Sequence, residues 1–188
     1  MGGKSVQLSP STNNYTRGGG ILYIALWIGS APGAYSDVGN CPSLSLEPTE
    51  QSLEHFSSRQ AQLEQDDERV VLTGYTGNFV LDEVSVENLR MFLRASLSGT
   101  KVLYMNGNVS QLYALKFVSD NDGPNYKWEM WKCKLTPNGA FSLINQEFTT
   151  LSFNIKGMTD RVNHNVSPWA TITFDTTTTT SSTTTTTA

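Results

Sequence analysis

A change of hydrophobic period between Thr76 and Leu97, in the stretch TGNFVLDEVSVENLRMFLRASL, constrains this chain more than any other feature. Before Ser85 the apolar residues Phe79, Leu81 and Val84 fall roughly every second position. After it Val86, Leu89, Phe92, Leu93 and Leu97 fall at helical spacing. Ser85 is suited to cap such a helix, because its hydroxyl can accept from the backbone N–H of Asn88. Glu87 adds negative charge to the first turn, where the helix dipole is positive, and Gly99 marks the stop. A helix over residues 85–97 packs through Val86, Leu89, Phe92, Leu93 and Leu97 and leaves Glu87, Asn88, Arg90 and Arg94 on its wetter side. One amphipathic helix closing over β-sheet is the architecture this implies.

The rest of the chain reads as strands. Ile21 to Ile28, ILYIALWI, is apolar on both alternating faces and predicts a strand covered on both sides. Ser43 to Leu46 is a short period-two strand ended by Pro48, and Val70 to Tyr75 restarts the extended pattern. Leu103 and Met105 lead through Asn106-Gly107, a hairpin turn signal, to a strand over Leu112 to Val118. Trp131, Cys133 and Leu135 face one way with Lys132 and Lys134 the other, and Pro137-Asn138-Gly139 is expected to turn this strand into a hairpin with Phe141 to Ile144. Leu151, Phe153 and Ile155 alternate with polar residues, and Trp169 to Phe174 is the last strand. Residues 1–20 form a polar N-terminal arm, 21–175 the β domain, and 176–188 a Thr/Ser tail with no apolar face to bury. Within the domain, residues 49–69 are so polar that they are expected to be a long inter-strand loop.

Seventeen acidic against 13 basic residues give a formal charge of −4, so the counterion release that drives phosphate binding has no global support and a sequence-reading nucleic-acid binder is not expected. The apolar run Ile21 to Ile28 is too short to cross a bilayer, and Met1 to Lys4 is followed by polar residues, so neither membrane insertion nor an export signal is expected. Cys41 and Cys133, far apart and outside any CxxC spacing, are expected as free thiols. Candidate catalytic groups are His55, His164, Asp66, Asp67, Asp82, Glu83 and the two cysteines. No third residue stands at metal-ligand spacing beside either histidine, and Asp82 and Glu83, adjacent on a predicted strand, point to opposite faces. The Gly18-Gly19-Gly20 run precedes a strand and opens no helix, so it is read as a hinge and not a phosphate cradle. No enzyme activity, metal or cofactor is expected.

Gly39 to Leu46 (GNCPSLSL), Leu53 to Ser58 (LEHFSS), Gly77 to Glu83 (GNFVLDE) and Val86 to Leu89 (VENL) resemble the tail tube protein of bacteriophages with long, non-contractile tails. The resemblance covers the first half of the chain; the second half shares only its strand-and-hairpin rhythm. It implies a mainly β subunit, a sandwich or small barrel with one flanking helix, six of which form a ring. Rings stack into a tube around a lumen that conducts DNA during ejection. The resemblance further implies a virion location after assembly in the bacterial cytoplasm, and contacts with neighbouring subunits, adjacent rings, and the tail terminator, distal tail and tape-measure proteins. By the same resemblance Asp82, Glu83 and Glu47 are lumen-lining candidates, and Glu50, Leu53, His55, Phe56, Arg59, Glu64, Asp66 and Asp67 belong to a loop that reaches the adjacent ring. An acidic or neutral lumen lets DNA slide where a basic one would hold its phosphates. Two other readings fit the same features. One is a tube of the type VI secretion kind; the other is a secreted carbohydrate-binding sandwich with a Thr stalk, using Trp128, Trp131 or Trp169 as sugar platforms.

Overall fold

The apolar run at 21–28 forms strand β1 (Gly20–Ile28), and the period-two stretches that follow it build one antiparallel sheet with a single helix against it. A computed structural model describes residues 18–57, 64–107, 111–120, 124–144 and 146–174, without the side chains of Glu64, Asp66 and Leu72. The strands after β1 are β2 (Ala31–Pro32), β3 (Ser36–Asp37), β4 (Ser43–Ser57) and β5 (Glu64–Leu81). Helix α1 (Val86–Leu93) follows, then β6 (Ser96–Ser98), β7 (Val102–Tyr104), β8 (Tyr113–Ser119), β9 (Tyr126–Pro137), β10 (Leu151–Met158) and β11 (Ala170–Phe174). The main sheet runs in the order β2-β1-β8-β9-β10-β5-β4, with β3 also on β1. β9 is long enough to hold β10 and β11 end to end along one edge, β11 on residues 126–130 and β10 on residues 132–137. The sheet does not close into a barrel: β4 ends its order.

One face of this sheet makes the core. Leu22 and Ile24 of β1, Phe79 and Leu81 of β5, Leu115 of β8, Trp128, Met130 and Cys133 of β9, and Leu151, Phe153 and Ile155 of β10 are all buried. Phe79 and Phe153, cross-strand partners, stack at 4.8 Å, and Phe92 from α1 meets Phe153 edge-on at 5.6 Å. Through that ring the helix joins the core. Between Tyr113 and Leu115 of β8 the partner strand advances from Cys133 to Met130, so β9 carries an extra residue there. The bulge keeps Met130 and Cys133 both inward although their spacing breaks the period of two. It also turns Trp131 out of line with Cys133 and Leu135, contrary to the simple alternation.

Local chemistry explains both ends of the helix. Ser85 caps it as expected, its Oγ accepting from the Asn88 N–H at 3.1 Å. The helix stops at Leu93, four residues earlier than expected. Arg94 adopts the left-handed conformation and its N–H bonds back to the carbonyls of Arg90 and Met91, a cap that satisfies the last turn. Leu97 therefore belongs to the β6–β7 hairpin, opposite Leu103. Val86 is exposed, while Leu89 and Leu93 pack at the core margin beside buried Phe92. Asn88, expected on the wet side, is 2% exposed.

Three more expectations are corrected. Residues 49–69 are not an unstructured loop, because β4 and β5 run into them from both sides as a long hairpin. Backbone pairing needs no apolar face, so a hairpin solvated on both sides leaves no period for a sequence to show. β7 pairs with β6, not with β8, so Asn106-Gly107 does not join a β7–β8 hairpin. Residues 141–144 form no strand: β9 pairs with β10 instead, Phe141 packs against Phe92, and Leu143 and Ile144 are exposed. Residues 1–17 and 175–188, which hold most of the predicted arm and the Thr-rich tail, lie outside the described residues.

Candidate functional site

The most distinctive surface is the β4–β5 hairpin. From Leu46 opposite Gly77 it continues through Pro48 opposite Tyr75, Glu50 opposite Thr73 and Leu53 opposite Arg69 to Ser57 opposite Glu64, with register shifts after Gln51 and after His55. Pro48 is tolerated because β4 is the edge strand, where a missing N–H breaks no ladder on the open side. Gly77 is required where the two strands begin to part from the core, because a Cβ there would collide with the Ser45 carbonyl. Past this point the hairpin leaves the core, and its apolar residues are bare: Leu53 is 66% exposed and Val71 59%, with Phe56 and Val70 close behind.

The same segment concentrates acid. Between residues 47 and 69 stand Glu47, Glu50, Glu54, Glu64, Asp66, Asp67 and Glu68 against Arg59 and Arg69 alone. Arg69 pairs with its near neighbour Asp67 at 2.8 Å. Both are well exposed, and such a pair adds little stability. Glu54 lies directly opposite Glu68. Of the residues expected to reach a neighbour, Glu50, Leu53, His55, Phe56 and Asp67 are brought together on this hairpin; Arg59 lies outside the described residues, as do the side chains of Glu64 and Asp66.

The three lumen-lining candidates stand at different places in the fold. Glu47 sits on β4 opposite Thr76, whereas β5 ends at Leu81 and Asp82 and Glu83 follow it in the connection to α1. Six residues of strand separate Thr76 from Asp82, roughly 20 Å. Asp82 accepts from the Asn40 amide at 2.6 Å, and the Glu83 carboxylate lies against Gly39, which has φ +81 and no room for a Cβ. Asp82 and Glu83 therefore fix the β5–α1 connection to the segment before β4.

The outward face of β9 and β10 carries opposite charge. Lys134 is directly opposite Lys156, and Lys132, opposite Met158, stands over the Trp27 ring at 5.2 Å. Sequence alternation marked these lysines as outward, but it could not show that two strands from distant parts of the chain align them.

No catalytic constellation forms among the described residues. His164 lies flat on Trp131 at 3.8 Å, and its Nε2 is 3.9 Å from the Asp160 carboxylate. Asp160 is itself held by the Asn163 N–H and side-chain amide. Ser167, a hydroxyl of the same segment, donates to the Ala170 carbonyl, while the Trp131 indole N–H donates to the Ser167 carbonyl. These groups tie the 159–169 segment to β9. No described group of three or more His, Cys, Asp or Glu residues is placed to hold a metal. Cys41 and Cys133 are free thiols, and burial pushes both up from the ordinary thiol range, Cys133 the more strongly. The tryptophans offer poor sugar platforms: Trp128 is buried, Trp131 is covered by His164, and Trp169 packs against Tyr75. An apolar groove of about 700 Å³ runs between Cys41 to Leu46 and the side chains of Phe117, Trp128, Ile172 and Phe174.

Residues 15–102 match a family described as protein of unknown function UCP028589. That span takes in β1, the hairpin and the helix. No curated protein matches the chain. A chain in the cryo-EM structure of the anti-feeding prophage (AFP) baseplate, 6-fold symmetrised, aligns over 88% of this chain and 95% of its own, at 8% identity and a TM-score of 0.44. A likeness at that level transfers no role.

Proposed function

We propose that this chain is a structural subunit of a bacteriophage tail, which polymerises with copies of itself as stacked, six-membered rings forming the tube of a long, non-contractile tail. The observation that carries this reading is the β4–β5 hairpin. Its outer part, residues 49–57 and 64–74, extends past the core, bares Leu53, Phe56, Val70 and Val71, and has no buried residue among those described. Exposed apolar residues on a long strand pair at a sheet edge are a hazard for a monomer and an interface for an assembly. The sequence resemblance to tail tube proteins adds the identity of the assembly. On this reading the protein has no catalytic role, resides in the virion, contacts other tail proteins at the tube's ends, and passes DNA without reading its sequence. Glu47, Asp82 and Glu83 remain the carboxylates to test in the lumen.

The test is assembly of the purified full chain, followed by sedimentation velocity and negative-stain electron microscopy. Rings or tubes are expected for the natural sequence, with folded monomers for the double variant Leu53→Ser/Phe56→Ser. A natural sequence that remains monomeric at every concentration reached overturns the proposal, as does a double variant that assembles as well as the parent.

A further inference from the structure

We infer that the acidic half of the β4–β5 hairpin in one copy seats on the lysine pair of β9 and β10 in a second copy, with Glu54 and Glu68 facing Lys134 and Lys156. The inference rests on the self-assembly reading above and names the surface that receives the hairpin.

Two cross-strand pairs of like charge point to it. Lys134 and Lys156 are direct partners across β9 and β10, and neither forms an ion pair with any described residue. Glu54 and Glu68 are direct partners across β4 and β5, both exposed, and they also lack an ion pair among the described residues. Like charges directly opposite one another destabilise a sheet. Each pair is therefore unfavourable in a single copy, and the two are of opposite sign.

Within one copy the two pairs cannot meet. Lys156 lies beside Thr76 of β5, and Glu68 is eight residues farther along that strand, roughly 26 Å away. The hairpin runs away from the lysines, and Glu47, in their row but two strands from Lys156 across Thr76, forms no ion pair with them. On this inference their carboxylate partners come from a second molecule. The contact joins two different patches and so can propagate head to tail from copy to copy, as a ring or tube requires. Val70, two residues from Glu68 and so on the same face of the hairpin, supplies apolar area, while the charges set register and orientation.

A nucleic-acid phosphate backbone is the other polyanion that two lysines without an ion pair among the described residues could attract. The chain's own charge disfavours it, because the acidic hairpin and the overall charge of −4 repel a duplex. Keeping these lysines under a protein contact also keeps them away from DNA that has to slide.

The experiment compares the full chain with Lys134→Glu/Lys156→Glu, with Glu54→Lys/Glu68→Lys, and with the fourfold exchange, by sedimentation velocity at ionic strengths of about 0.1 M and about 1 M, where the screening length falls from roughly 10 to roughly 3 Å. Each double reversal turns two exposed attractions into repulsions and is expected to weaken association roughly tenfold to a hundredfold. The exchange is expected to restore most of it, and high salt to weaken the parent. Should a reversal variant melt early, Lys134→Gln/Lys156→Gln replaces it, with a smaller loss expected. A parent that assembles while both reversals assemble equally well overturns this contact and leaves the self-assembly reading standing. A parent that never assembles overturns both. If the lysine reversal assembles normally but abolishes binding of a short DNA duplex by the parent, the lysines serve phosphates and the inference fails.

Discussion

Replacing Asn88 by alanine tests the one polar latch that the helix places inside the fold. Its side-chain N–H groups donate to the Val38 carbonyl at 2.8 Å and the Glu83 carbonyl at 2.9 Å, and Val38 is itself buried. Alanine removes both donors. The Val38 oxygen, shut away from water, then goes unsatisfied at a cost of about 1–3 kcal/mol, while the partly wet Glu83 oxygen loses about 0.5–1.5 kcal/mol. The expected loss is roughly 2–4 kcal/mol, which for a domain of this size lowers Tm by about 2–4 °C per kcal/mol. Urea unfolding followed by far-UV circular dichroism, on dilute protein so that association does not contribute, measures it directly. Asn88→Asp sharpens the test. A carboxylate facing two carbonyl oxygens favours its protonated form in the folded state, raising its folded pKa above the unfolded value near 3.9. The folded state then holds more protons, so this variant is least impaired at acid pH and loses stability as pH rises from the unfolded pKa through the folded one. A change below about 0.5 kcal/mol for Asn88→Ala, the scale of ordinary surface substitutions, would refute the latch.

Ser85→Ala removes the cap on the Asn88 N–H and is expected to cost about 1 kcal/mol, with Ser85→Asp restoring it, as read from the same urea midpoints. Gly77→Ala forces β4 away from β5 at the Ser45 carbonyl, so amide exchange at Ser43 to Glu47 should accelerate well ahead of exchange in β9, the strand at the centre of the sheet. Cys133, wholly buried with its thiol pushed up by that burial, is expected to resist a thiol reagent until the chain unfolds. Half-buried Cys41, raised chiefly by burial and opposed by backbone N–H donors, should react slowly in the folded state and faster as pH passes above the ordinary thiol range. Equal native reactivity of the two thiols would contradict the packing around β9.

What the sequence made legible was whatever had one side in the core. β10 could be read residue by residue because Leu151, Phe153 and Ile155 bury while Ser152, Asn154 and Lys156 do not. Ser85 could be read because a cap is a local bargain between a hydroxyl and a nearby N–H. The hairpin was invisible for the opposite reason: both faces beyond Tyr75 meet water, and strand pairing by backbone alone imposes no period on side chains. Asn88 misled because a helical wheel ranks residues by hydropathy, whereas two carbonyls arriving from Val38 and Glu83 make a buried amide favourable there. The end of the helix misled in another way. Leu97 continued the stripe, yet the left-handed Arg94 had already closed the last turn, and Leu97 spends its apolar surface on the β6–β7 pair instead. Of the candidate surface, the acidic residues were plain in the sequence. Their alignment, Glu54 with Glu68 and Lys134 with Lys156, depends on registers set by the whole sheet.

Those registers bear on function because a lone chain has an easy remedy for each of them. Exchanging one member of either like-charge pair for its opposite would turn a cross-strand repulsion into an attraction, worth some tenths of a kcal/mol. Replacing Leu53 or Val71 by a polar residue would remove exposed apolar area at no cost to the core, since neither side chain reaches it. A fold selected only for its own stability would have no use for four such features in a row along one edge and one face. Selection for a contact with another molecule retains them, because the pairing of opposite charges and the burial of apolar area are then gained at the interface, where they also reject a wrongly registered neighbour. The hairpin and the lysine pair are thus the surfaces on which mutations should separate folding from assembly: substitutions there leave the urea midpoint of the monomer unchanged or raise it, while those at Phe79, Phe153 or Asn88 lower it whether or not the chain can assemble.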